Sequence, residues 1–329
     1  MKRIVILLSI LLVINLTADN IQDKLEKFGI ENGKGYIRPL VTAFGTNLNS
    51  GLYNTAKVLK PFFFGIMFNA NMTYFPPEAE IFRATRPELY IPNTDIPIFA
   101  EEEIETATVF GKEGQYFTLN DELSDYPDFE DQIHDIYTSN GLKLPNGAQN
   151  TTEIPFAPLV IPQINLGLPK GNELMFRYLP TYEFDKKLGA LSFWGIGLKH
   201  SIDQYFPSII PIDIATQIAF QQFKITDIMD ISTFAANAQI SKKLSMFTFY
   251  GGLGFESAKL TAKYETEITL IDTSGNAVTQ PLNIDFDIES ENDFRATFGI
   301  RYSILVMKFF ADYSLCKYPV ANLGFGLSF

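Results

Sequence analysis

Apolar and polar residues alternate with a period of two along most of the second half of the chain. In NELMFRYLPTYEF (172–184), apolar or aromatic residues occupy the even positions from 174 onward, and Glu173, Arg177 and Glu183 lie between them. The same alternation occurs at 62–74, 210–221, 282–302 and, in NLGFGLSF, 322–329. A period of two predicts β-strands with one apolar and one polar face.

About ten such strands are predicted between residue 60 and the end of the chain, and many span a dozen residues or more. A soluble β-sandwich rarely needs strands of that length, whereas a transmembrane barrel needs ~9 to 11 residues per crossing and must close on itself. We therefore predict an all-β fold, a transmembrane antiparallel up-and-down outer-membrane β-barrel of 10 to 12 strands, with fourteen as an upper limit. A soluble sandwich remains the alternative, because alternation does not say which face is wet.

The connections predict which strand ends lie together. Short turns are predicted at 168–172, 201–208, 241–245 and near Leu305, as expected for the periplasmic end of a barrel. A long insert, 76–156, then falls at the external end. It contains a candidate extra hairpin, IETATVF and QYFTL around GKEG, which would give twelve strands if it joined the wall. A change in the apolar register near Ser257 predicts a bulge in the longest strand.

The start of the chain predicts export. Lys2 and Arg3 precede the apolar run 4–14, and Ala18 follows as a small cleavage-site residue, so residues 1–18 form a predicted signal peptide. Residues 19–58 are predicted to be a short N-terminal periplasmic helix followed by a Gly- and Asn-rich segment. That segment either plugs the barrel, which is predicted over 59–329, or simply leads into it.

Charge and cysteine content exclude some classes of protein. The formal net charge is -12, and the insert carries most of the acidity. No basic patch is present to neutralise phosphates, so nucleic-acid binding is not expected. Cys316 is the single cysteine, which rules out a disulfide scaffold.

Catalytic and metal-binding residues are scarce. His200 and Ser201 are adjacent and so face opposite sides of a strand, and His134 lies in the insert without a second catalytic element. We therefore expect no enzymatic role. Acidic residues of the insert, Asp121, Asp125, Asp128 and Asp131, are candidate calcium ligands, although their spacing lacks the pattern of a dedicated calcium loop and a solvated loop is the alternative. No other cofactor is expected.

Charged residues on the polar strand faces are the candidates for lining the lumen. They are Glu173, Arg177, Glu183, Asp213, Arg295, Arg301, Lys308 and Asp312. Mixed charges that face inward either line a solute path or pair into salt bridges that block it. The aromatic residues Phe62, Phe75, Tyr178, Tyr302 and Phe309 are predicted to form girdles at the membrane interfaces.

Several stretches resemble a known family. They are YIRPLVTAFGTNLNSGLYNTAKV (36–58), FWGIGLKHSIDQYFP (193–207), YGGLGFES (250–257), NDFRATFGIRY (292–302) and the last strand. The chain resembles an uncharacterised family of outer-membrane barrels recorded as a domain of unknown function, which implies the fold and a location in the cell outer membrane. The terminal Phe329 resembles the signal read by the barrel-assembly machinery, and outer-membrane lipid and lipopolysaccharide are the other partners implied.

A more distant likeness links residues 29–57 to the N-terminal plug of the outer-membrane long-chain fatty-acid transporters, which have fourteen strands. The functional expectation is a passive channel or transporter for small or hydrophobic solutes, gated by residues 29–57 or by the insert. The alternative is a structural or surface-interaction barrel with a closed lumen, in which the acidic external insert is the functional part.

Overall fold

The computed structural model describes residues 21–87, 89–91, 94–127, 141–147, 156–185, 189–206, 211–225, 229–271 and 277–329. The predicted signal peptide lies outside them and stays a prediction. One helix, α1 (Ile21–Leu48), precedes fifteen strands in these ranges. The strands are β1 (Phe64–Tyr74), β2 (Ile81–Thr85), β3 (Glu103–Ala107), β4 (Tyr116–Phe117), β5 (Leu142–Lys143), β6 (Phe156–Leu168), β7 (Asn172–Asp185), β8 (Gly189–Ser201), β9 (Asp213–Ile225), β10 (Met229–Leu244), β11 (Phe247–Ile271), β12 (Ala277–Glu289), β13 (Phe294–Ile304), β14 (Met307–Leu315) and β15 (Val320–Ser328).

Ten of the described strands form a closed antiparallel barrel. Their order is β10–β9–β8–β7–β6–β1–β15–β14–β13–β11, and β11 pairs back to β10. The first and last wall strands meet at a seam, where Phe329 and Phe64 exchange backbone hydrogen bonds of 2.9 and 3.2 Å. β12 pairs only with the half of β11 beyond residue 258. The predicted all-β barrel is confirmed, with ten strands in the described wall.

The two ends of the barrel differ in their connections. At the lower end, tight turns at 169–171, 245–246 and 305–306 join neighbouring strands. Lys170 and Gly171 both have positive φ, which is the conformation of the type I′ turn that fits the twist of a hairpin. The upper end is the opposite one, where β13 begins.

An apolar belt surrounds the outside of the wall. Each wall strand contributes a large outward side chain that is exposed, and one from each is Phe68, Ile164, Phe176, Ile196, Ile218, Phe234, Leu253, Phe298, Tyr313 and Leu323. The outward residues of β1 extend from Phe64 to Tyr74, eleven residues, which matches one membrane crossing. The alternation in the sequence therefore separates an apolar exterior from a polar interior.

The register change near Ser257 is not a bulge. β10 and β11 pair without a break from Leu244 and Phe247 upward, past Ser257. Instead, the polarity of the two faces inverts above this level: Leu260 points inward and is buried, whereas Lys259 points outward. In the described wall, register irregularities occur in β7, beginning at Leu179. The prediction was wrong because a strand that leaves the apolar belt reverses its pattern without changing its hydrogen bonding.

The chain divides into two compact units, and the barrel unit comprises the described parts of Val41–Tyr74 and Phe156–Phe329. The other unit comprises the described parts of Leu12–Leu40 and Phe75–Pro155. The predicted division into residues 19–58, the insert (76–156) and the barrel (59–329) stays a prediction. In the structure, residues 41–58 group with the barrel unit.

The second unit has its own small sheets and a stacked aromatic pair. β2 pairs with β3, and β4 pairs with β5, so IETATVF and QYFTL do not form the predicted hairpin. That prediction was wrong because each half finds a partner elsewhere in the insert. Phe75 is buried and stacks on Phe110 with ring centroids 3.9 Å apart, so it does not belong to an interfacial girdle.

Among the described residues, α1 and the short helices offer no stretch with the length and hydrophobicity needed to span a membrane.

Candidate functional site

Residues 41–60 are called the lumen segment. Residues 41–56 are largely buried inside the barrel, and residues 57–60 reach its lower rim. At the upper end, the Thr42 hydroxyl accepts a hydrogen bond of 3.0 Å from the backbone N–H of Glu291, and the Phe44 ring packs 5.2 Å from that of Phe223. At the lower end, the N–H of Leu59 donates to Glu173 at 2.8 Å. The segment therefore runs the height of the lumen and leads into β1.

The predicted periplasmic position of the helix stays a prediction. In the structure, residues 41–48 enter the lumen at the end opposite the tight turns. The reason is the apolar face of this last part of the helix, in which Val41, Phe44 and Leu48 are buried. The inner wall is also apolar at the upper end, where Phe193 and Phe223 are buried.

Arg177 fixes the point where α1 ends. Its guanidinium donates to the carbonyl oxygens of Leu48 and Ser50 at 2.7 and 2.8 Å. It also donates to the side-chain oxygens of Gln163 and Gln221 on the wall, at 2.8 and 3.1 Å. The last carbonyls of a helix have no partner within the helix and carry partial negative charge, so a buried cation from β7 serves as their cap.

Arg295 binds the same turn from the other side of the lumen. It donates to the carbonyl oxygen of Thr46 at 2.6 Å and to the hydroxyl of Ser50 at 2.7 Å. Its charge is balanced by Glu256, which accepts from Arg295 Nε at 2.7 Å in a buried ion pair. Two arginines on opposite parts of the wall thus hold the segment through its backbone.

A second buried ion pair lies lower in the lumen. Lys199 and Glu173, both almost fully buried, are 3.0 Å apart. Glu173 also accepts from Asn165 at 2.7 Å, in addition to its bond from the N–H of Leu59. The hydroxyls of Thr55 and Ser241 lie 3.1 Å apart at a similar level. The lower part of the segment is therefore held by charged and polar wall residues.

Asp312 is a buried carboxylate that contacts neutral donors. Tyr250 and Asn322 donate to it at 2.8 and 2.7 Å, and no cation of the described chain lies within ion-pair distance. Asn71, opposite Asn322 in the β1–β15 register, donates to the carbonyl oxygen of Asn47. The amide oxygens of Asn71 and Asn322 find no donor among the described protein atoms. These oxygens are acceptors that solvent or solute can satisfy.

An apolar cluster completes the contact between segment and wall in the middle of the lumen. It contains Leu52, Tyr53, Met175, Ala219, Ala235 and Tyr250. The rings of Tyr53 and Tyr250 meet edge to face with centroids 6.0 Å apart. A cavity of about 20 Å³ beside Tyr53 is little larger than one water molecule needs. The lumen is therefore closely filled at this level.

The remaining lumen candidates lie toward the lower end or outside the description. Arg301 and Asp213 are partly buried: Arg301 donates to Asn54 at 3.0 Å, and Asp213 accepts from Ser241 at 3.3 Å. Lys308 donates to the carbonyl oxygen of Leu305 at 2.9 Å. Glu183 lies on β7, but its side chain is outside the described residues.

The family of the chain follows from a comparison with protein-family models. The model described as "Family of unknown function (DUF6588)" matches residues 1–329. The chain belongs to this family. No protein with curated function matches the sequence.

Solved structures with some similarity to this family member are outer-membrane proteins. OmpTdeltaL8 of Vibrio cholerae shares 10% identity, with a TM-score of 0.25 over 52% of this chain and 54% of that one, so the match spans about half of each. Ail of Yersinia pestis shares 8% identity, with a TM-score of 0.24 over 82% of this chain and 100% of that one. DcaP of Acinetobacter baumannii shares 9% identity, with a TM-score of 0.20 over 85% and 99%. Scores this low support no inference about function, and a likeness to fatty-acid transporters stays a prediction.

Of the predicted metal and catalytic positions, the structure describes Asp121, Asp125, His200 and Ser201. Asp121 and Asp125 are exposed on the short helix Asp121–Asp125, and Asp128, Asp131 and His134 lie outside the described residues. No group of three or more His, Cys, Asp or Glu side chains suited to a metal occurs in the described part of the chain. His200 contacts Asn172 and Tyr205, at 2.8 and 3.0 Å. Calcium binding by the insert stays a prediction.

Sequence reasoning missed several residues that hold the lumen segment. Lys199 forms the ion pair with Glu173, and Glu256 forms the ion pair with Arg295. Gln163 and Gln221 orient Arg177. All four occupy inward positions of period-two strands, so the signal was present. Only some of the charged residues were taken as candidates for lining the lumen, and amide side chains were not.

Proposed function

We propose that this protein is an outer-membrane channel for small polar solutes, held closed by the lumen segment (41–60). The location is supported by the outer face of the wall, where a continuous belt of exposed Phe, Ile, Leu and Tyr covers all ten described strands. An exposed apolar surface on this scale is very costly in water and is stabilising in lipid, and a closed barrel leaves no unpaired strand edge in the membrane.

The polarity of the lumen is the observation that carries the proposal of a channel. The wall meets the segment with buried polar side chains, among them Gln163, Glu173, Arg177, Lys199, Gln221 and Arg295. A lumen that stays permanently dry is stabilised at least as well by apolar packing, because burying charges costs several kcal/mol each in desolvation. A wall that is solvated whenever the segment moves avoids that cost in the open state.

The contacts of the segment also suit a displaceable plug. The wall grips it largely through carbonyl oxygens, as Arg177 does at Leu48 and Ser50 and Gln163 does at Leu52. Water can replace each of these hydrogen bonds at little net free energy, about 1 kcal/mol per bond. Residues 49–60 can therefore leave the wall without exposing a large apolar core, and the polar inner wall then lines an aqueous path.

A reversible crosslink between segment and wall tests the proposal. The hydroxyls of Thr55 and Ser241 are 3.1 Å apart, so the double substitution Thr55→Cys and Ser241→Cys, with Cys316→Ser to remove the native thiol, places two sulfurs within bonding reach. In planar bilayers we expect current from the reduced protein and none from the oxidised protein. The variant Thr55→Cys with Cys316→Ser alone is the matched control and should not respond to oxidation.

A second variant exposes the lumen without relying on spontaneous opening. Replacement of residues 49–60 by a Gly and Ser sequence of equal length removes the side chains that fill the barrel, and we expect steady conductance from it. If neither this variant nor the reduced crosslinking variant conducts after verified insertion, the channel proposal is wrong.

A closed scaffold is the second candidate function, and one observation favours it. Arg177 and Arg295 hold the segment between them through four hydrogen bonds, two from each guanidinium. Each guanidinium is fixed in turn by two hydrogen bonds to side chains of the wall. In that case the barrel would anchor the acidic insert at the cell surface. The absence of current from both variants above is the result expected of a scaffold.

A further inference from the structure

The apolar belt on the outside of the barrel contains a groove. It has a volume of about 780 Å³ and runs over β9, β10, β11 and β13 in the lower half of the wall. Its floor is formed by small outward residues, Ala238 and Gly251, and its sides by Ile214, Ile240 and Phe298. The volume lies within the range of ligand sites, ~300 to 1,000 Å³.

The lower end of the groove is basic. Lys242 is among its lining residues, is exposed, and lies on β10 two residues before the strand ends. Its neighbour Lys243 pairs with Thr248, whose side chain is buried on the inner face of the wall, so Lys243 faces the lumen and not the groove. An anion at the lower end of the groove therefore meets the ammonium group of Lys242.

The whole lower rim shares this charge. Six lysines lie there, and none has a carboxylate partner within ion-pair distance among the described residues: Lys57, Lys60, Lys170, Lys242, Lys243 and Lys308. The outward lysines of the upper end differ, since Lys224 pairs with Asp230 at 2.8 Å and Lys259 pairs with Asp287 at 2.6 Å. Unpaired cations are therefore concentrated at one membrane interface.

Apolar side chains project from the same rim. Phe62 is 79% exposed, Leu305 is 92% exposed, and Tyr205 and Phe206 are also exposed. Aromatic residues beside lysines are the combination that anchors a barrel at the headgroup level of a bilayer. The rim thus combines a surface for headgroups with a groove for a hydrocarbon chain.

We propose that this surface binds an anionic glycerophospholipid, with the phosphate at Lys242 and one acyl chain in the groove above it. The inference rests on the proposed membrane location but not on channel activity. A glycerophospholipid is favoured over lipopolysaccharide because the tight turns mark the rim as periplasmic, and the periplasmic leaflet of an outer membrane consists of glycerophospholipid. Each lysine near an anionic surface strengthens binding about fivefold.

Lipid retention separates the headgroup from the chain. Full-length mature protein is placed in nanodiscs of phosphatidylcholine that contain about one fifth phosphatidylglycerol. The protein is then released into mild detergent, and the lipids that stay bound are counted by native mass spectrometry. We expect phosphatidylglycerol to be enriched. Lys242→Ala should lower its affinity roughly fivefold and leave the retention of phosphatidylcholine unaffected. Ala238→Leu, which fills the groove, should reduce retention of both lipids.

Lys224→Ala is the matched control, because this lysine is also exposed on the outer wall but is ion-paired at the other end. Equal retention of the two lipids by the wild type, or preferential displacement of phosphatidylglycerol by lipopolysaccharide, overturns the inference while leaving the proposed location intact. Failure of the wild type to insert into phosphatidylcholine nanodiscs instead defeats the proposed location itself. A loss of phosphatidylglycerol in Lys224→Ala equal to that in Lys242→Ala also overturns the assignment.

Discussion

Substitution of Arg177 by Met should loosen the lumen segment without opening the wall. Met keeps much of the side-chain volume but removes four hydrogen bonds. The carbonyl oxygen of Leu48 keeps a donor in Gln221, and that of Ser50 keeps a long contact from Asn71. The side-chain oxygen of Gln221 loses its donor Arg177, and that of Gln163 keeps only a contact of 3.5 Å from Asn69.

Two acceptors are therefore left without a good donor, and each such buried group costs ~1 to 3 kcal/mol. The sum, about 2 to 6 kcal/mol, is partly offset because the buried guanidinium no longer has to be desolvated. We expect a value in the lower half of that range. This free-energy cost mainly weakens the attachment of the segment to the wall, since two of the four lost bonds hold carbonyl oxygens of the segment.

Amide hydrogen exchange of the protein in micelles measures this effect site by site. The N–H groups of Ala56 and Leu59 bond to wall side chains at 3.0 and 2.8 Å, so their protection reports attachment of the segment. In Arg177→Met their exchange should accelerate by a factor of roughly 30 or more, at about 1.4 kcal/mol per tenfold. Amides in the β1–β15 seam should keep their protection.

Lys224→Met is the control, because it breaks a half-exposed ion pair on the outer wall, which contributes at most about 1 kcal/mol. Equal acceleration in seam and segment would show that Arg177 stabilises the whole barrel instead. Unchanged exchange at Ala56 and Leu59 would show that the segment is held by other contacts, and the capping role assigned to Arg177 would be wrong.

Three further predictions concern the wall and the insert. Phe298→Lys places a charge in the middle of the apolar belt and should lower the free energy of unfolding in vesicles by ~2 to 4 kcal/mol; a neutral effect would contradict lipid exposure there. Gly324→Ala should cost ~1 to 3 kcal/mol by denaturant titration, because the added Cβ would lie 2.0 Å from the Phe310 ring, and no cost would mean that the ring moves freely. Burial alone would raise the pKa of Glu101, but hydrogen bonds from the hydroxyl and N–H of Thr118 lower it below its value in the unfolded chain. Ionised Glu101 therefore stabilises the insert above its unfolded-state pKa, and this stabilisation is lost as the pH falls through its folded-state pKa. Glu101→Gln should weaken this acid dependence of the insert's thermal unfolding, and an unchanged profile would count against it.

Much of the wall could be predicted from the sequence because one physical constraint acts on every strand. Lipid on one side and a polar interior on the other impose a period of two, and residues such as Phe68 and Asn69 on β1 follow it. The tight turns were equally readable, since Lys170 and Gly171 sit between two long alternating runs. These signals are local, so a single sequence contains them.

The contents of the lumen could be predicted only in part. The Gly- and Asn-rich composition of residues 29–57 suggested a plug, but contacts such as Arg177 with Leu48 join residues far apart in the chain, and no local pattern encodes them. The predicted strand pairing of the insert was wrong for a similar reason. β3 pairs with β2, not with the adjacent strand-like stretch, because neighbours in sequence compete with partners brought close by folding. The inversion of polarity above Ser257 required knowledge of where the membrane ends.

The course of the lumen segment constrains the order in which the molecule assembles. The chain enters beside Glu291, leaves beside Glu173, and is encircled by ten strands whose ring is completed where Phe64 meets Phe329. If the ring of strands closed first, the end of α1 would have to pass lengthwise through the narrow lumen. The pairing of β1 with β15 must therefore form last, after the lumen segment is already in place. A defect in the final strand would then yield an open, curled sheet with its plug uncovered, and quality control in the cell would encounter that species.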